Sequence, residues 1–173
     1  MNPDPNIIKE FYLPQPYDSD GNKYFEFGSY SFVFFRNGVA TKIFRKNNGI
    51  PEKHVKKVFL SEVEAYNLAS SSQDLVKIVP KFFGTVQFEE IINKYDLYID
   101  PSNFLLNCAY QMEHIKARFY KLGNYDIRDE VSKRFANAGI HYLTDASIAI
   151  LKPHDKNSIN FRVIDFAVQE HRL

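Results

Sequence analysis

The 173-residue chain has no tryptophan, a single cysteine and almost no net charge, its 22 lysines and arginines standing against 21 aspartates and glutamates for a formal +1. Each shortage excludes something. One thiol, Cys108, cannot form an internal disulfide, and its place in the apolar run FLLNCAY reads as a buried core thiol rather than a nucleophile. A charge near zero gives no global field to gather DNA, RNA or an anionic membrane, so any anion is bound locally. The five histidines show no paired i, i+4 set or other metal-ligand spacing, and His141 reads as structural. No apolar run is long enough to span a membrane or to form a signal-peptide core, MNPDPNIIKEFYLPQP included. Internal repeats and low-complexity tracts are also missing.

What is present is core-forming: 45% of the residues are apolar, and 16 Phe and 11 Tyr are among them. At this length one domain is expected. Residues 1–22 hold four prolines and an SDG turn signal and read as an extended arm, followed by a single domain over 23–173. Strands are expected over 23–27, 31–35 and 39–45, the last two joined by Asn37-Gly38, the strongest short hairpin signal. Val55, Val58, Phe59, Val63, Tyr66 and Leu68 recur at helical spacing within KNNGIPEKHVKKVFLSEVEAYNLASSS, with Pro51 near its start. VPKFFGTVQF and FLLNCAYQMEHI read as further strands. Asp126 is placed to cap a helix through DIRDEVSKRFANAG that stops at Gly139, and SIAILKP and FRVIDF read as two short strands joined by the polar turn HDKNSIN.

A strand-turn-strand that binds phosphate needs a glycine where backbone meets the ligand, small neighbours, and a cation reaching the same phosphates from the adjacent strand. Gly28, Ser29, Ser31 and Lys42 meet that description, and a carboxylate on the following helix would hold the ammonium in position.

In order along the chain these pieces resemble a protein-kinase-like domain. FGSYSFV resembles the Gly-rich loop, keeping its second glycine at Gly28, with Glu26 and Ser31 where the others would stand; VATK resembles the third-strand VAIK motif and makes Lys42 the phosphate lysine. SEVEAY resembles the segment carrying the partner glutamate, Glu62 or else Glu64. QMEHI resembles a hinge, with Met112 as gatekeeper and the backbone of Glu113 and Ile115 as adenine partners. VIDFA resembles the DFG region, making Asp165 the metal ligand and putting Ala167 in place of the glycine. GIHYLTDASIAIL resembles a catalytic loop least. In one register Asp145 is the base and Ile150 replaces the metal-binding asparagine; in the other, set by His141, Leu143 and Ile148 fall at those positions.

The resemblance covers about residues 23–169 and implies an α+β fold: a five-stranded antiparallel N-lobe sheet with one αC-like helix over about 23–113, and a much reduced C-lobe over about 114–173. It implies ATP and Mg²⁺ as cofactors and a protein substrate, serine or threonine before tyrosine, with no nucleic-acid or membrane partner. The chain ends eight residues after Asp165, so no activation segment or docking platform is expected. In size and truncation it is similar to the small effector kinases that some bacterial pathogens inject into host cells; the expected setting is a cytoplasm, or a host cell if the protein is an effector. A pseudokinase that keeps the fold and docks a partner is the alternative. For single residues the alternatives are an edge-blunting strand lysine at Lys42, a solvated helix-face carboxylate at Glu62, and turn-capping aspartates at Asp145 and Asp165.

Overall fold

A computed structural model describes residues 6–95, 98–151 and 160–171. It is an α+β structure with a six-stranded mixed sheet, a three-stranded antiparallel sheet and two α-helices. The chain divides into two compact units, Met1–Phe59 with Phe83–His114, and Leu60–Phe82 with Ile115–Leu173.

The first unit holds strands β1 (Asn6–Tyr12), β2 (Phe25–Phe27), β3 (Ser31–Arg36), β4 (Val39–Arg45), β5 (Phe82–Ile92) and β6 (Phe104–Glu113), in the spatial order β1-β5-β6-β4-β3-β2. Strands β2, β3, β4 and β6 pair antiparallel. Asn37 and Gly38 both sit at positive φ, 51° and 77°, as a two-residue hairpin whose twist matches its strands requires. Side chains alternate across β4. Ile43 joins Phe34, Phe88, Phe104 and Ala109 in an apolar cluster on one face, while Lys42 and Phe44 project from the other.

The antiparallel five-strand sheet expected from the sequence is six-stranded and mixed, because the expected arm supplies β1. This strand pairs parallel with β5, from Asn6 opposite Val86 to Tyr12 opposite Ile92. Phe11 and Leu13 are buried in the cluster just named. Pro14 and Pro16 lie beyond the strand, where a missing N–H removes no ladder bond.

Helix α1 (Glu52–Ser71) begins in the first unit and continues into the second. Pro51 precedes it, and the Pro51 carbonyl accepts from the amides of His54 and Val55, satisfying first-turn donors. Val55, Val58, Phe59, Ala65, Tyr66 and Ala69 form its buried stripe.

The second unit adds β7 (Tyr120–Lys121), helix α2 (Arg128–Asn137), β8 (Ser147–Leu151) and β9 (Asn160–Ile164), with sheet order β7-β8-β9. Its core joins Tyr66 of α1 to Phe166, ring centroids 4.5 Å apart, and Phe166 to Phe135 of α2, 4.9 Å apart. Asp126 does not cap α2: Ile127 occupies that position without a side-chain bond, while Asp129 and Glu130 in the first turn offset the helix dipole. Gly139 ends the helix at φ 87°, and the Ile140 amide returns to the Phe135 carbonyl. The expected turn over 154–160 lies outside the described residues except for Asn160, the first residue of β9.

Candidate functional site

The loop before β3 is held by its carbonyls. The Gly28 carbonyl accepts from Arg45 Nη2 at 3.1 Å and that of Ser29 from Asn47 Nδ2 at 2.9 Å. The Tyr30 carbonyl accepts from the Arg45 amide and that of Ser31 from the Gly28 amide, both at 2.9 Å. Four consecutive oxygens are thus directed at protein donors, one of them the loop's own Gly28 amide. Gly28 is exposed, its φ lies outside the left-handed region, and a Cβ there would meet nothing within 4 Å. The fold itself therefore does not require glycine at this position.

Lys42 lies on β4, between β3 and β6, so it blunts no edge; it is only 6% exposed. It stands opposite Val33 on β3 and Tyr110 on β6. Its Nζ lies 5.5 Å from the Phe44 ring centroid and 5.9 Å from that of Tyr110, cation-π contacts worth about 0.5–2 kcal/mol each. Ser31, Val33, Ala40 and Met112 share its face, since Ser31 pairs with Phe44 and Ala40 with Met112. The structure therefore gathers Ser31, Lys42 and Met112 on one side of the sheet.

Glu113 stands opposite Val39, and the next amide, His114, donates to the Gly38 carbonyl. This makes Glu113 a non-hydrogen-bonded partner of Val39, with its own N–H and C=O pointing away from β4. Cys108 is 3% exposed, and burial pushes its thiol pKa up, against the thiolate that a nucleophile needs. A groove of about 800 Å³ lined by Lys9, Glu10, Tyr12, Glu89 and Glu90 lies along β1 and β5, and its three carboxylates suit no polyphosphate.

The remaining sequence-picked residues lie in the second unit. Glu62 is 6% exposed and so does not lie on a solvated helix face, whereas Glu64 is exposed. On either side of Glu62 along α1, Ser61 accepts the amides of Val168 and Gln169, through its carbonyl and its hydroxyl, and Tyr66 packs on Phe166. Asp165, at the end of β9, has φ 61°, a left-handed conformation that aspartate tolerates better than most residues. The Ile115 carbonyl accepts from the Ala117 amide at 2.9 Å.

Asp145 is exposed in the turn before β8. Its Oδ2 accepts from the Tyr142 hydroxyl at 2.7 Å and its carbonyl from Lys121 Nζ at 3.0 Å. Tyr142 in turn forms a two-bond bridge with Ala167, each amide donating to the other's carbonyl at 3.0 Å. The alternative register puts no titratable group at the base position: Leu143 is half-buried and Ile148 is fully buried, while His141 is exposed. Ile150, the asparagine position when Asp145 is the base, is exposed on β8.

Among the described residues no group of three or more His, Cys, Asp or Glu could hold a metal ion. Magnesium in phosphotransfer sites takes one or two carboxylates and completes its shell with phosphate oxygens and water, so a single aspartate such as Asp165 fits Mg²⁺ only together with a phosphate-bearing ligand. Sequence reasoning missed Arg45, Asn47 and Tyr142. Arg45 and Asn47 bond carbonyls that only the fold makes neighbours, and Tyr142 reaches Asp145, three residues on, through the shape of the turn. Comparison with protein-family models, curated proteins and solved structures found no match.

Proposed function

We propose that the chain is a minimal, atypical protein kinase that transfers the γ-phosphate of Mg-ATP to a protein hydroxyl, serine or threonine in preference to tyrosine. The observation that carries this reading is Lys42, an ammonium buried on a central strand on the same face as Ser31 and Met112. A lysine on a central strand, on the same face as Ser31 at the end of the glycine loop, suits the α and β phosphates. In this reading Gly28, Ser29 and Ser31 receive the phosphates, Glu62 fixes Lys42, and Glu113 and Ile115 offer backbone groups to adenine. Mg²⁺, held by Asp165, would neutralise charge at the β- and γ-phosphates. Asp145 takes the acceptor proton. The same reading has the protein acting in a cytoplasm, its own or, as an injected effector, a host's; no helix among the described residues is long and apolar enough to cross a membrane.

A second reading, a pseudokinase that binds a partner, is favoured by the catalytic loop, which puts isoleucine at the asparagine position in either register. Incubation with Mg²⁺ and γ-labelled ATP, alone and with cell lysate, separates the two. Transfer by the wild type, lost in Lys42→Ala and Asp165→Ala, is expected. Absence of transfer across metals and lysates would end the kinase reading.

A further inference from the structure

Asp145 is exposed, and an exposed carboxylate on a turn samples several rotamers, of which few can accept a proton from a bound hydroxyl. In this chain it is not left to do so. The Tyr142 hydroxyl donates to Oδ2 at 2.7 Å, and Tyr142 is itself fixed by its two-bond bridge to Ala167 and by packing against His171, ring centroids 4.7 Å apart. Ala167 lies two residues beyond Asp165 on the same stretch of chain. One tyrosine is therefore bonded through its side chain to the proposed base, and through its backbone to the segment that carries the proposed metal ligand.

We infer that Tyr142 is a positioning residue for phosphoryl transfer: its hydroxyl fixes Asp145 Oδ2 so that Oδ1 faces the acceptor hydroxyl. The inference rests on the kinase reading above. In the step it serves, the acceptor oxygen bonds to the γ-phosphorus of ATP, the bond from that phosphorus to the β-phosphate oxygen breaks, and ADP leaves. The hydroxyl proton passes to Oδ1 of Asp145 and from there to water. The tyrosine neither gains nor loses a proton.

Tyr142→Phe deletes the hydroxyl while keeping the ring against His171 and the backbone bridge to Ala167. Against the wild type it should lower kcat roughly tenfold and leave the KM for ATP unchanged, since orientation of the base bears on the transition state rather than on nucleotide binding. In an Asp145→Asn background the same change should cause no further loss, because the two residues act as one unit. Asp145→Glu, a change at an exposed position, displaces the carboxylate by one methylene and should reproduce the kcat loss without unfolding the chain. A wild type that transfers no phosphate overturns the kinase reading and this inference together. An active wild type whose Tyr142→Phe variant keeps full kcat, or whose Tyr142→Phe and Asp145→Asn losses add, overturns the inference alone.

Discussion

At Gly28 a methyl group would find open space and an ordinary backbone conformation, so the fold alone gives no reason for the glycine. If the reason is close approach of a phosphate, Gly28→Ala should leave stability within about 1 kcal/mol, or raise it slightly by stiffening the unfolded chain. The same change should raise the KM for ATP several-fold. An unchanged KM, measured beside an unchanged melting temperature, would remove Gly28 from the site. Legibility differed sharply among single residues. Lys42 could be singled out from the sequence through its neighbours in the chain, but its burial between β3 and β6 could not. Glu62 and Glu64 are both acidic helix residues, and only packing distinguishes the buried one from the exposed one. Arg45, Asn47 and Tyr142 carried no local signal, because a hydrogen bond from Tyr142 to Asp145 is a matter of how the loop turns.

Strand β1 is the element whose omission from a sequence reading is easiest to explain. The β3–β4 hairpin was legible because Asn37-Gly38 selects its turn locally, and α1 because its apolar residues keep a helical period. β1 has neither advantage. Its partner β5 is distant in the chain, prolines flank it on both sides, and the consecutive exposed pair Lys9 and Glu10, between partly buried Ile8 and buried Phe11, breaks the alternation expected of a strand. Its contribution is nonetheless apolar: Phe11 packs on Phe34 and Phe88, ring centroids 5.9 and 4.9 Å away. Phe11→Ala should therefore lower the unfolding free energy by about 3–5 kcal/mol in a denaturant titration. Lys9→Ala, on the exposed side, should change it by less than about 0.5 kcal/mol. Equal effects from the two substitutions would show that β1 adds no core. The missed cap at Asp126 has a related origin, since the helix starts two residues later and offsets its dipole with Asp129 and Glu130.

For the molecule as a whole, a net charge of +1 offers no long-range attraction to a polyanion, so the kinase reading needs nucleotide affinity to come from the few groups it places around Lys42 and the Gly28 loop. Under the kinase reading, or a pseudokinase that retains nucleotide, Mg-ATP at about a hundred times its Kd should stabilise the chain by roughly 2.7 kcal/mol. A chain of this length should then melt about 5–10 °C higher. Lys42→Ala should abolish the shift, and no shift with any nucleotide would sink the kinase reading and leave a pseudokinase that docks its partner without nucleotide. The parallel ladder between β1 and β5 also bears on how the chain comes off the ribosome. Asn6 pairs with Val86 and Tyr12 with Ile92, roughly 80 residues apart, a separation that slows folding because a long loop must close before contacts repay it. Among the described strands β1 thus waits longest for its partner after its own synthesis, and until β5 emerges Phe11 and Leu13 are exposed to whatever nascent-chain chaperones are at hand.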